Sequence, residues 1–420
     1  MQALLIPIVF LNFCLVSKGA VDSVSLPDAY SEALKKTEAL PHQEEQIKQA
    51  EEKYRQALGG LLPTVSGFAS YQWQAAAGGG AFSPTRQPLV RVSATQPLFR
   101  GLRDFAGLKQ ASLLSQASQF EKEVALQQLF NEVTQNFFVV LSLEQELVNL
   151  KSQISALEKR IFELKDRIKI GRSRVTESLT VRASLSTLKS QLLLTEGQLS
   201  VARETFQFLT GLSTTTPLKD GLLLKESLPP LENYLDSVKA RPDLKMHSLH
   251  LEAADKGVSV AWGAHLPSID LNGNYYLKRF GFFDQIPWDV GVSLSLPILN
   301  GGIISSRVAE ASSKRMQAEL ALSKAKRAAT QEVQSLYATL RADFEQLKAL
   351  TEAKELNEAN FKQQTREYRN GLVNNLDVLQ ALTAFEESKR SLDRARFQTK
   401  IDFLKLETAS GKYPRPKETN

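Results

Sequence analysis

Pro97 and Pro297 stand 200 residues apart, and so do Gly171 and Gly371, and Gly211 and Gly411. Their surroundings match as well: "VRVSATQPLFRG" echoes "VGVSLSLPILNGG", and "IGRSRVTESL" echoes "NGLVNNLDVL". Pro63 and Pro267 are 204 apart, because the stretch "QAAAGGGAFSPTRQP" is longer than its partner "KRFGFFDQIP". An internal repeat limits the fold before any single residue does, since one architecture must suit both copies. The chain reads as a leader over 1–19, a first structural repeat over 20–225 and a second over 226–420.

Each repeat has the same order of elements. A helical stretch interrupted by proline comes first, about Pro27–Gly60 with Pro41 and about Glu232–Gly263 with Pro242. Proline and its restriction on the preceding residue end or bend a helix there. Two strands follow, about 64–74 and 89–96 in the first repeat and about 268–278 and 288–296 in the second. Then comes a long helical hairpin, about 104–210 and about 303–410, turning at Gly171 and Gly371. Its first arm, about 65 residues, spans roughly 100 Å at 1.5 Å per residue. In the first repeat Leu143, Leu147, Leu150, Ile154, Leu157, Ile161, Leu164 and Ile168 alternate spacings of four and three. The returning arm answers with Leu185, Leu188, Leu192, Thr195, Leu199, Ala202, Phe206 and Leu209, the seam of two antiparallel packed helices. The seam of the second repeat is weaker.

The strands alternate. Val65, Gly67, Ala69, Tyr71 and Trp73 share one face of the first, and Ile269, Leu271, Gly273, Tyr275 and Leu277 one face of the third. Val90, Val92 and Ala94 oppose Arg91, Ser93 and Thr95, and Val290, Val292, Leu294 and Leu296 oppose Asp289, Gly291, Ser293 and Ser295. Such alternation fits a soluble sheet packed on helices, or transmembrane strands with apolar residues outward and aromatics near the interfaces. The apolar run "MQALLIPIVFLNFCLVSKGA" is too short to span a bilayer and suits a secretory signal cleaved near Gly19 or Ala20. It holds the only cysteine, Cys14, so a cleaved chain has no disulfide framework. No later stretch suits a transmembrane helix, so membrane insertion requires strands. Lipid tolerates only closed barrels, and four strands are too few to close. A membrane reading therefore requires several copies to share one barrel.

Other functional classes find little support. A net charge of +6 with interspersed signs forms no basic block for nucleic acid. His247 and His250 form an H-x-x-H pair without a nearby third ligand. No phosphate-binding Gly-Lys-Ser/Thr loop and no Ser-His-Asp pattern occurs, so neither an enzyme nor a cofactor is expected. A periplasmic adaptor would show one hairpin with separate β-domains. A structural coiled coil would explain the heptads but not four matched strands.

The duplicated order, the strand openings "LPTV" and "LPSI", the strand-to-helix turns "QPLFRG" and "LPILNGG" and the helix turn "YRNGLVNNLDVLQA" together resemble the TolC-like outer-membrane efflux proteins. The resemblance covers nearly the whole mature chain. It implies a mainly α fold with transmembrane β: a homotrimer with a twelve-stranded barrel in outer-membrane lipid, continued by a periplasmic helical barrel. The implied function is a passive exit duct for efflux or type I secretion. Its implied partners are a periplasmic membrane-fusion adaptor and an inner-membrane pump of RND, ABC or MFS type.

The resemblance also implies an adaptor-docking surface at the hairpin tips, Gly171, Arg172 and Ser173 with Gly371, Leu372 and Val373. It implies a periplasmic gate at Asp377, Glu177, Tyr368 and Thr176. Three copies of Asp377 and Glu177 would set six carboxylates round one constriction, a field that favours cations. An acid in the first turn of a helix also has a plain role, opposite the helix dipole. Two positions depart from the family pattern. Val373 stands where the family's namesake carries a clamping arginine, and Gln380 where it carries a second aspartate, which implies either a weaker clamp here or its replacement by Arg172 or Arg174.

Overall fold

The computed structural model of the chain describes residues 23–75, 85–224 and 228–414. The predicted leader, with Cys14, and most of the first strand-to-strand loop lie outside the described residues. In chain order the elements are α1 (Leu26–Lys36), α2 (Ala39–Gly59), β1 (Thr64–Trp73), β2 (Arg86–Arg100), α3 (Arg103–Lys169), α4 (Val175–Thr210), α5 (Leu231–Val238), α6 (Pro242–Gly263), β3 (Ser268–Lys278), β4 (Trp288–Ser295), α7 (Ile303–Arg369) and α8 (Asn375–Ala409). The two long helices, α3 and α7, have 67 residues each. No helix among the described residues is long and apolar enough to cross a membrane. The chain divides into two compact units, one of residues 23–36, 132–224 and 345–401, the other of 37–131, 228–344 and 402–414.

The second unit contains the sheet. Its order is β1-β2-β3-β4, antiparallel throughout, with β1 and β4 at the open edges. Val65 faces Ala94, Ala94 faces Gly273 and Gly273 faces Val290, so the apolar faces of the four strands fall in register. A sheet packed on helices would cover that face. Here Val292 is 65% and Trp73 73% exposed, and no position of β1 is buried, so no layer of the described residues lies against the edges.

β2 is longer than the alternation indicated, running from Arg86 to Arg100 rather than 89–96. Its N-terminal residues pair with β1 alone. Beyond Thr95 it pairs with β3 alone, which lets Pro97 stand in the ladder where only one neighbour needs donors. Leu98 is the extra residue of a bulge, between Pro97 opposite Asp270 and Phe99 opposite Ile269.

The turn from β2 into α3 uses two successive left-handed residues, Gly101 and Leu102; Gly301 and Gly302 do the same before α7. Gly101 also crosses the end of α6 so closely that an added Cβ would lie 2.1 Å from the Gly263 carbonyl oxygen. Pro242 opens α6 from a position where its missing N–H costs nothing. Tyr234, Val238, Leu244, Val333, Leu340 and Leu406 form the unit's helical core. Beside it the Arg241 guanidinium pairs with Asp243 and Glu332 and donates to the Ala409 carbonyl at 3.0 Å, closing the last turn of α8.

The other unit is helical. Leu150, Ile154, Leu157 and Leu164 of α3 are buried, as are Val181, Thr195, Ala202 and Phe206 of α4, with the remaining seam positions half-buried. Leu379 and Leu382 of α8 join Leu157, Leu164 and Val181 in one cluster, so the second hairpin packs on the first. Phe137 stacks edge-on with Phe138 and tilts against Phe206. Val24 pairs in parallel with Leu218, tying the start of the described chain to the segment after α4.

Candidate functional site

Two features are candidates for function, the polar face of the sheet and the tips of the hairpins. On the sheet, Ser93 donates to Asn274 (2.7 Å) and Thr95 to Asn272 (3.0 Å). Asn274 passes a bond to Asp289 (2.8 Å) and Asn272 to Ser293 (3.0 Å). Arg100 clasps Asp270 at 2.9 Å where the sheet meets α3. Three strands thus carry a continuous hydrogen-bonded ladder on one face, while the opposite face is mainly apolar, with Gln96 beside Leu271 and Arg86 beside Trp73. At the loop end, Tyr275 pairs in register with Trp288, and Tyr71 meets Trp73 edge-on at 4.9 Å. Amphipathic rings collect at that level in a membrane interface.

The two tips are built alike. Gly171 and Gly371 adopt φ of +73° and +74°. Arg172 N–H donates to Arg167 O and Leu372 N–H to Glu367 O, at 2.8 and 3.0 Å, while each glycine N–H reaches the carbonyl three residues back. This is the Schellman close of a helix, and its left-handed residue calls for glycine. The tips leave apolar side chains uncovered: Leu372 is 73% exposed, and Ile170, Val175, Leu179 and Leu376 at least half.

The first turn of α8 shows where the Asp377 carboxylate goes. Asn374 Oδ1 accepts from the N–H groups of Leu376 (2.7 Å) and Asp377 (3.1 Å), and the Asp377 carboxylate accepts from Asn374 N–H at 3.0 Å. That reciprocal pair is a capping box. The first hairpin lacks it: Glu177 instead accepts from Ser173 Oγ at 2.6 Å, and Arg174 precedes the helix without a side-chain cap. Thr176 is exposed, and its carbonyl accepts from Thr180 Oγ1.

Tyr368, 6% exposed, lies in the last turn of α7 under two guanidinium groups. Arg160 Cζ is 3.9 Å and Arg167 Cζ 4.4 Å from its ring centroid. Within one chain, then, the structure does not join Tyr368 to Glu177 or to Asp377. Arg172 and Arg174, named from sequence as replacement clamps, are exposed and form no ion pair among the described residues. Arg160, Arg167 and Asn375 went unnamed. Their one sequence signal is the seven-residue spacing of the arginines, which sets both on one face of α3. Away from the tips, His250 lies 3.3 Å from Glu121.

An antiparallel sheet with one wet and one greasy face, carried on paired helical hairpins, defines a membrane channel protein of the outer-membrane type. The profile of the outer membrane efflux proteins matches the chain in two segments, residues 29–212 and 235–412, and the chain belongs to that family. It is 23% identical to outer membrane protein TolC of Escherichia coli strain K12 over 391 residues, covering 86% of this chain and 76% of that one. It is 22% identical to TolC of Vibrio cholerae over 425 residues, covering 94% and 92%. Nodulation protein T of Rhizobium leguminosarum bv. viciae is 30% identical over a shorter stretch, 43% of this chain and 39% of its own. Among solved structures, CusC superposes with a TM-score of 0.84 at 19% identity over 92% of each chain. VceC of Vibrio cholerae gives 0.83 at 18% identity over 92% and 96%. The protein is an outer-membrane exit duct for efflux, and its family is one of channels rather than enzymes.

Proposed function

We propose that the chain works as a homotrimer in which three four-stranded sheets close one twelve-stranded barrel. The observation that carries this reading is the pair of open edges: among the described residues β1 and β4 have no outer neighbour, and they expose hydrocarbon beside those edges. An open edge is intolerable in lipid, and four strands cannot curl shut. An even number of antiparallel strands leaves β4 antiparallel to β1, so copies related by rotation pair edge to edge without breaking the alternation. The two matched segments and the repeated element order support a duplicated repeat, 20–225 and 226–420, as the origin of the chain.

In this reading the polar ladder lines a water-filled lumen, and the long hairpins form a periplasmic helical barrel. Substrate passes through without energy from the duct itself, delivered by an inner-membrane pump of RND, ABC or MFS type through a membrane-fusion adaptor. The tips dock the adaptor: Gly171, Arg172 and Ser173 with Gly371, Leu372 and Val373. Uncovered Leu372 and Ile170 give that contact an apolar centre. Asp377 and Glu177, with Tyr368 and Thr176, mark the constriction. Light scattering in detergent tests the assembly: a mass of three chains is expected. A stable monomer in detergent-free buffer would refute it.

A further inference from the structure

Close to the tips, the contact between the two hairpins passes from hydrocarbon to a single charged side chain. Arg160 is 13% exposed, deep for a guanidinium. Its Nε donates to Asn375 Oδ1 at 2.8 Å, and Asn375, the first residue of α8, is itself 2% exposed. Arg160 Cζ lies 3.9 Å from the ring centroid of Tyr368, in the last turn of α7. Nη1 is steadied by Glu163 of the same helix at 3.1 Å. One side chain of the first hairpin thus grips the second on both sides of its turn. Arg167, two turns further on, covers the same ring at 4.4 Å.

The grip is incompletely satisfied. Arg160 Nη2 and Tyr368 Oη are both buried without a hydrogen-bond partner. A buried donor lacking a partner costs free energy that water would return. Parting the contact therefore carries a compensation, because water would satisfy both atoms. Val373 carries no charge, and the exposed Arg172 and Arg174 form no ion pair among the described residues.

We infer that Arg160 is the positioning residue that latches the second hairpin against the first in the closed duct, with Arg167 supporting the Tyr368 ring. The inference rests on the reading of the tips as the gate. Its chemistry is specific to arginine: a planar fork can stack on a ring and donate sideways, whereas a lysine ammonium is a point charge and cannot do both.

The test is single-channel recording of the full-length protein in planar bilayers, with gel mobility and thermal melting as controls on assembly. Arg160→Lys is expected to raise the ratio of open to closed time roughly tenfold, at unchanged mobility and melting. Tyr368→Leu should do the same, and the double variant should add little to either. Lys348→Ala, an exposed substitution on α7 away from the tips, should leave the ratio unchanged. If Tyr368→Leu opens the duct and Arg160→Lys does not, the latch is wrong and the gate reading stands. If neither changes the ratio, both fall. Hydrogen exchange over residues 366–378 gives an independent check should assembly suffer. It should quicken in Arg160→Lys relative to 166–178, and equal rates in the two tips would overturn the latch.

Discussion

Arginine in place of Val292 tests the assignment of the sheet's faces most directly. Val292 is the fifth residue of β4, opposite Leu271, with Val290 and Leu294 on the same face. At about 3.4 Å per residue it lies roughly 14 Å along the strand from the Trp288 belt, near the middle of an apolar band about 25 Å tall. A cation there costs roughly 2–4 kcal/mol per strand, and threefold repetition makes that about 6–12 kcal/mol per trimer. Ser293→Arg is the control. Its neighbours are Asn272, which donates to the serine at 3.0 Å, and Asp270 opposite it. The control loses two hydrogen bonds, the one from Asn272 and a longer one that Ser293 Oγ donates to the Asp270 carbonyl at 3.4 Å, about 1–2 kcal/mol together, and places its charge in water beside a carboxylate. Urea titration in lipid vesicles, followed by tryptophan fluorescence and trimer mobility, reads both. Equal losses at 292 and 293, or a larger loss at 293, would show that the greasy face does not meet lipid.

Gly101→Ala should abolish folding into trimers, because its Cβ would strike the Gly263 carbonyl oxygen at 2.1 Å; Gly59→Ala, with open space, should be neutral on the same gel. Asn374→Ala should cost about 1 kcal/mol of local stability by removing the cap of α8, seen as faster amide exchange at Leu376 and Asp377. Asp377→Asn should weaken cation selectivity and block by multivalent cations; unchanged recordings would leave that carboxylate with its capping role alone. Burial first, and then neighbouring Asp402, push the Asp343 carboxyl up to about 6 from an ordinary 3.8. The folded chain then holds more protons than the unfolded one between about pH 4 and 6, so this group's cost grows as pH rises through that window and is complete above it. Asp343→Asn should stabilise by about 1–2 kcal/mol at pH 7.5 after allowance for solvent screening, and by almost nothing at pH 4, measured by chemical denaturation.

Much of this architecture is legible along the chain because its periods are local. Alternation by two marks β1, β3 and β4, heptads mark α3 and α4, and Gly171 and Gly371 mark turns that only a left-handed residue closes. Two identical-looking halves then fix the order of everything else. The meeting of faces is another matter. Arg100 finds Asp270 across 170 residues, and Ser93 finds Asn274 across 181, because β2 lies beside β3, a pairing no local period encodes. Pro97 reads as the end of a strand until the loss of β1 as a neighbour and the Leu98 bulge let the strand run on. Asp377 and Glu177 occupy equivalent places in the repeat, yet one closes a capping box and the other accepts from a serine, since Asn374 and Arg174 differ. Arg160 carries no motif. Its role exists only because packing of Leu157 and Leu164 on Leu379 and Leu382 brings α7 and α8 against α3, setting Tyr368 and Asn375 within reach of one guanidinium.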